Sequence, residues 1–391
     1  MNLTAVQRDR AAGALLGMAA GDALGAPYEF GPPLGLEVEV AMAGGQGWEP
    51  GEWTDDSAMA LVIAQAAVAH GDLRSEAALD EIVTRWRRWA QDAKDVGLQT
   101  RHVLEAAHRD GLSARTARAA TAALHAETGR TAGNGSLMRT APVALVYLDD
   151  EDALVEAARM ISELTHYDPD TGDACVLWSL AIRHAILTGD LDVRVGLDRL
   201  PADRRDRWNH LLAVAEQSTP ADFHDNGWVV EALQAAWSAI VSTSATPGDA
   251  NDQHLPQAIE AAVRGGRDAD TVAAIAGALV GAAYGAEAVP ASWREPLHGW
   301  PSMSADGLAA LAPMIIKTDA HNVEPFVATG LPNWAEQHRA QGHNPHPAPT
   351  EENPERWDCD CGAVWRTLTR EQLARKYAHL GTAARARNNI D

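Results

Sequence analysis

The 391-residue chain carries 54 acidic against 32 basic side chains, a formal net charge of −22. That balance excludes a general binder of nucleic acid or of anionic membrane, either of which needs a basic surface. Three cysteines, Cys175, Cys359 and Cys361, are too few for a disulfide framework at this length, and a reducing cytoplasm is the compartment they lead one to expect.

In chain order, Val6 to Leu24 reads as a buried helix. Arg8-Asp9-Arg10 before an uncharged run has the outline of a signal peptide, but the run is mostly Ala and Gly and passes into Asp22 without a break. Nothing else approaches the ~20 strongly apolar residues of a membrane span. Gly13, Gly17, Gly21 and Gly25 fall four apart, along one side of the helix. Each glycine inside a helix costs about 1 kcal/mol relative to Ala, so such a stripe implies close approach to another helix. The helix ends near Gly25-Ala26-Pro27, and Glu29 follows in a loop, where a lone Glu is ordinarily solvated surface. Residues 31–53 are rich in Gly and Pro and read as loop, with one short strand at Leu36 to Val40.

Thr54-Asp55-Asp56-Ser57 then precedes an apolar helical run that stops at Gly71. Adjacent aspartates diverge by about 100° on a helix, so the two can serve different partners. Helical runs follow at Leu79 to Trp89, Thr100 to Arg109 and Ala114 to Leu124. Gly133-Asn134-Gly135-Ser136 breaks the pattern; such a loop either turns the chain or brings backbone N–H groups to a phosphate. Thr165-His166 stands before a helix from Asp173 to Leu187, residues 188–226 read as charged and irregular, and helices are expected at Val229 to Ile240 and Leu255 to Val263.

A second acidic cluster, Asp268-Ala269-Asp270-Thr271, opens a helix that repeats the glycine device at Gly277, Gly281 and Gly285. A closely packed central pair of glycine-striped helices follows. Strand alternation is almost absent, so the fold class is all-α. Aspartates at helix N-termini are ordinary caps. Two clusters of the same make, each with a Thr beside its acids, also form a hard oxygen set suited to Mg²⁺, Mn²⁺ or Ca²⁺. Beyond a Pro-rich linker at 343–354 come Trp357-Asp358-Cys359-Asp360-Cys361 and a helix from Arg370 to Ala384. His343, His346, Cys359 and Cys361 could form a zinc site but match no common zinc spacing, and two free thiols packed on Trp357 and Trp365 are the favoured reading.

Together, Gly-Asp-Ala-Leu-Gly at 21–25 with Glu29, Thr54-Asp55-Asp56, Gly133-Asn134-Gly135-Ser136 with Met138-Arg139, Thr165-His166 and Asp268-Ala269-Asp270-Thr271 resemble, in identity and order, the ADP-ribosylglycohydrolase family, over about residues 8 to 315. The resemblance implies an orthogonal helical bundle, taken here as residues 1–318, with an extension at 319–391 outside the shared core. It implies a binuclear Mg²⁺ or Mn²⁺ centre held by Thr54, Asp55, Asp56, Asp268, Asp270 and Thr271, and an ADP-ribose pocket lined by Gly133, Gly135, Ser136 and His166. Asp56 and Glu29 are the implied catalytic carboxylates. Ser57 departs from a second Thr common in relatives but keeps the hydroxyl. The activity implied is release of ADP-ribose from a modified acceptor, with arginine on protein as the first choice. The alternatives are a serine, nucleic-acid or small-metabolite linkage, or an immunity-type or non-catalytic ADP-ribose binder with a cognate ADP-ribosyltransferase as partner.

Overall fold

The computed structural model describes residues 3–244 and 253–316, and the backbone of 345–347, 357–359 and 364–365. The chain divides into two compact units, Met1–Lys317 and Thr318–Asp391. In the first, α1 (Ala5–Gly25) runs along α12 (Ala269–Tyr284) for the length of both helices, and the other elements pack around that pair. Between them lie α2 (Asp55–His70), α3 (Glu76–Asp92), α4 (Leu98–Arg109), α5 (Ala114–Thr128), α6 (Ala141–Val146), α7 (Glu151–Ser162), α8 (Pro169–Thr188), α9 (Ala202–Ala215), α10 (Val229–Thr243) and α11 (His254–Arg264). The fold is a helical bundle, as the absence of strand alternation implies. Among the described residues of this unit the only strands are the antiparallel pair β1 (His298–Gly299) and β2 (Met303–Ser304).

The glycine stripes do meet. A Cβ on Gly17 would overlap the backbone of Gly277, one on Gly13 the backbone of Gly281, and one on Gly25 the backbone of Asp270. Backbone lies on backbone, a separation that no side chain larger than hydrogen permits. Both helices are buried over most of their length, so hydrophobic burial holds the contact that the glycines make possible. Indole N–H groups tie helices together: Trp178 of α8 donates to Ile275 O of α12 at 3.0 Å, and Trp86 of α3 to Met59 O of α2 at 3.1 Å. No helix among the described residues is long and apolar enough to cross a membrane.

Three expectations need correction. Leu36 to Val40 is not a strand but a turn and irregular chain, with Leu36 90% exposed; alternation without a neighbouring edge forms no ladder. Residues 188–226 are not irregular throughout, for they hold α9. Trp208, Leu212 and Ala215 bury one side of it, while Arg204 and Arg207 bind Asp170, charges that mask its periodicity. Helix α7 was not anticipated, though Asp150 caps it and Ala153, Leu154, Ala157, Ala158 and Ile161 make a clear apolar stripe. In the second unit, part of the predicted linker is a strand: β3 (Pro345–Pro347) pairs with β4 (Trp357–Cys359), which pairs with β5 (Val364–Trp365), all antiparallel. The expected helix from Arg370 to Ala384 and the side chains of His343, His346, Cys359 and Cys361 lie outside the described residues.

Overpacking a close contact costs about 1–3 kcal/mol and more where backbone must move. Gly277→Val is therefore expected to lower unfolding free energy by about 3 kcal/mol or more in urea. An unchanged midpoint would mean that the two helices are not in backbone contact.

Candidate active site

The α1–α12 contact carries two acidic termini toward each other. Asp22 lies in the last turn of α1, fully buried, and turns its carboxylate to the start of α2. It accepts hydrogen bonds from Thr54 N at 2.9 Å, Ser57 N at 2.9 Å and Ser57 Oγ at 2.6 Å. The first N–H groups of a helix have no partner within it. Thr54, at the N-cap of α2, makes no side-chain capping bond, so α1 supplies the cap from 32 residues upstream. This fixes Thr54, Asp55, Asp56 and Ser57. Trp53 is anchored just before them, its N–H donating to His298 O at 2.9 Å and its indole to Trp300 O at 3.1 Å.

The second cluster is held from other sides. Asp268 stands at the N-cap of α12, where its N–H donates to Asn226 Oδ1 at 3.2 Å and its Oδ2 accepts from Asn134 Nδ2 at 2.7 Å. The loop bearing Glu29 is stapled to the residue before it. Phe30 N donates to Arg267 O at 2.6 Å, and Arg267 N to Gly31 O at 2.7 Å. Phe30 and Arg267 both sit at positive φ, 61° and 62°, a conformation non-glycine residues adopt only when their surroundings impose it. The outcome is two overlapping carboxylate groups, Asp22–Asp56–Asp270 and Glu29–Asp268–Asp270. In each, one oxygen per residue lies within 4.8 Å of the others.

The adjoining cavity, about 190 Å³, is lined by Glu29, Asp55, Asp95, Leu98, Gln99, Gly133, Asn134, Gly135, His166, Asp268, Asp270 and Thr271 among others. The sequence-derived residues are thus gathered in one place, with two differences. Asp56 and Thr54 are buried and do not line the cavity, and Asp56 Oδ1 accepts from Thr271 Oγ1 at 3.3 Å. Ser136 does not line the cavity: its side chain is buried and faces the thiol of Cys175. Sequence reading missed Asp22, Asp95, Asn134 and Asn226 as parts of the site. Asp22 was visible as a charge inside a glycine-striped apolar helix, where a carboxylate is not placed without a partner. Asp95 carried no such signal.

Every one of the clustered carboxyls has its pKa raised. Burial comes first for Glu29, which Asp268, Asp95, Asp55 and Asp22 then push further, to about 8. Burial also comes first for Asp55, which Asp95, Asp22 and Asp268 push to about 7. Asp56 and Asp270 rise well above the usual range for the same reasons, burial before neighbouring carboxylates. Thr54 Oγ1, Asp56 Oδ2 and Asp270 Oδ1 are buried without a hydrogen-bond partner among the described residues. Orphaned carboxylate oxygens are costly unless neutralised. Hard oxygen donors, like charges and unused lone pairs fit divalent cations of the Mg²⁺ or Mn²⁺ kind. His166 moves the opposite way: burial, then the positive charge of Arg139, hold its pKa well below 6.5.

These shifts set a pH dependence. Folded-state pKa values raised above the unfolded ones give stability that is complete below about pH 4 and lost as pH rises through about 7 to 8. In chelator, Tm is therefore expected to be higher at pH 5 than at pH 8, by about 5 °C. Millimolar Mg²⁺ or Mn²⁺ at pH 8 should restore it, as binding to the folded state alone requires. A chelated protein equally stable at both pH values would contradict the clustering of charge.

Comparison with known proteins agrees with this geometry. The sequence model of the ADP-ribosylglycohydrolase family matches residues 3–324. Among similar proteins, an ADP-ribosylarginine hydrolase Tri1 of Pseudomonas putida is 32% identical over 296 residues, covering 73% of this chain and 74% of its own length. The ADP-ribosyl-[dinitrogen reductase] glycohydrolase of Rhodospirillum rubrum is 30% identical over 298 residues, covering 74% of this chain and 90% of its own length. A solved ADP-ribosylglycohydrolase-related protein complex aligns with a TM-score of 0.60 and 29% identity, covering 80% of this chain and 99% of the other. The chain belongs to the ADP-ribosylglycohydrolase family, hydrolases of the glycosyl bond to ADP-ribose.

Proposed function

We propose that the protein hydrolyses the N-glycosidic bond between ADP-ribose and an arginine side chain of a modified protein, with two divalent ions, Mg²⁺ or Mn²⁺, as cofactors. The observation that carries the arginine reading is the surplus of negative charge around the cavity. After the carboxylates assigned to the ions are set aside, Asp95 remains on the wall, at its exposed rim. A guanidinium is planar, always cationic and matched to carboxylates, so a carboxylate at the rim favours it over a neutral serine oxygen or an anionic nucleic acid. Relatives named for ADP-ribosylarginine support the same choice.

Thr54, Asp55, Asp56, Asp268, Asp270 and Thr271 would hold the ions, with Glu29 and Asp22 alongside. When bound, the ions supply Lewis-acid stabilisation of developing charge and a place for ribose hydroxyls. The chain's own groups do the rest. Breaking the bond from C1″ to nitrogen leaves positive charge on the ribose, which the carboxylate wall stabilises. A water adds its oxygen to C1″ and gives a proton to a carboxylate, while the departing guanidine nitrogen takes one. Of the two sequence candidates, Glu29 faces the cavity and has the raised pKa of a group that can exchange a proton near neutrality. Asp56, buried and bonded to Thr271, is assigned to ion binding. Gly133, Gly135 and His166 form the wall against which the diphosphate would lie.

The test is release of ADP-ribose from mono-ADP-ribosylated arginine protein, with added ion and with chelator. Glu29→Gln is expected to lower kcat by about 10²–10⁴-fold, the range for removal of a general acid–base group. Asp95→Asn is expected to lower kcat/KM on an arginine-linked substrate by about tenfold, the loss of one charged hydrogen bond, and to leave a serine-linked substrate unaffected. Equal turnover of both linkages by the unaltered protein would overturn the arginine reading, and release undiminished in chelator would overturn the ions.

A further inference from the structure

Behind His166 stands a buried cation that the chemistry above does not use. Arg139 is fully buried, with no carboxylate partner among the described residues. Its guanidinium lies 4.1 Å from the centre of the Trp86 ring, Nη1 donates to Met59 Sδ at 3.7 Å, and Nη2 donates to Thr165 Oγ1 at 2.6 Å and Ile161 O at 3.4 Å. Burial lowers its pKa to about 9, which still leaves it charged at neutral pH. Thr165 Oγ1 has one further partner, His166 Nδ1 at 2.7 Å.

Donor counting decides the direction of that second bond. An arginine only donates, so Thr165 Oγ1 accepts from it. Were His166 Nδ1 to donate as well, the hydroxyl would accept twice and its own hydrogen, in a fully buried residue, would have no acceptor. The arrangement is satisfied only when Thr165 donates to Nδ1. A neutral imidazole with an accepting Nδ1 carries its hydrogen on Nε2. That nitrogen makes no hydrogen bond among the described residues and lines the cavity beside Gly133 and Gly135. A Cβ on Gly133 would come within 3.3 Å of Nε2, and one on Gly135 within 3.0 Å of Cε1, so the ring sits tightly under the two glycines.

We propose that Arg139 and Thr165 are positioning residues that lock His166 as the neutral Nε2–H tautomer, making it an obligate hydrogen-bond donor to an anionic oxygen of the ligand. The chain Arg139–Thr165–His166 sets polarity as well as place: the cavity receives a donor without a positive charge. The ring is held at its backbone too, where His166 N donates to Ser162 O at 2.8 Å and His166 O accepts from Thr171 Oγ1 at 3.1 Å. The proposal rests on the reading that this cavity takes ADP-ribose only for the identity of the accepting oxygen; the tautomer is a property of the free protein.

The experiment is 15N–1H correlation of the imidazole rings in metal-free protein labelled at its 15 histidines, with His166→Gln assigning the signal, together with calorimetric titration of ADP-ribose. The unaltered protein should show His166 protonated at Nε2 alone at pH 7. Thr165→Ser, which keeps the hydroxyl, should retain that pattern and the affinity. Thr165→Val should shift His166 toward the Nδ1–H form and weaken ADP-ribose binding about tenfold, the loss of one hydrogen bond to a charged group. If Thr165→Val does not fold, the unaltered protein and Thr165→Ser decide the matter. A doubly protonated or Nδ1–H ring in the unaltered protein overturns the proposal, as does an Nε2–H pattern unmoved by Thr165→Val. An Nε2–H ring that depends on Thr165 in a protein that binds no ADP-ribose leaves the tautomer in place and overturns the pocket assignment instead.

Discussion

The contact on which the site depends is backbone against backbone, Gly17 on Gly277 and Gly13 on Gly281. It contributes no chemistry. Its effect is to set α1 and α12 so close that Asp22, near the end of one, and Asp270, in the first turn of the other, share a carboxylate group with Asp56. Were the helices spaced by ordinary side chains, about 8–10 Å between axes, the oxygens of the two clusters would be too far apart to serve common ligands. A row of residues with no side chain thus determines where the charged ones can meet.

What meets there is electrostatically unfavourable in isolation. Burial disfavours each carboxylate and its neighbours disfavour it again, so that every member of the cluster holds its proton more tightly than a free acid. Local features moderate this. The N-termini of α2 and α12 favour negative charge, Asp22 gains three hydrogen bonds from the start of α2, and Asn134 steadies Asp268. They do not remove it, as the unpartnered oxygens of Asp56 and Asp270 indicate. The arrangement costs stability, and a cation bound among these oxygens would offset that cost.

The opposite wall follows a different rule. Beside His166 the cation Arg139 is held behind Thr165, to which it donates, and Thr165 is bonded in turn to His166. The two walls are therefore complementary in kind: one rich in charge and able to exchange protons, the other neutral, rigid and made of hydrogen-bond donors and glycine backbone. Under the function proposed, ribose hydroxyls and a developing cation would face the acids and the anionic diphosphate oxygens would face the donors.

Much of this was legible from local pattern. Helix periodicity, the four-residue spacing of the glycines and the paired acidic N-termini are properties of short stretches, so α1, α2, α10, α11 and α12 and the metal-suited aspartates could be read directly. Helices α7 and α9 escaped, the second because its exposed arginines answer acids on another helix and only the folded chain supplies those partners. What the three-dimensional arrangement alone decided was which side chains share a site. Asp22 reaches Thr54 and Ser57 across 32 and 35 residues, Asp95 joins the wall from the loop between α3 and α4, and Ser136, in the most suggestive loop of the sequence, turns away toward Cys175. Residue type and spacing determine what a segment can form; direction and distance between segments depend on packing, and the chemistry of this cavity lies in those distances.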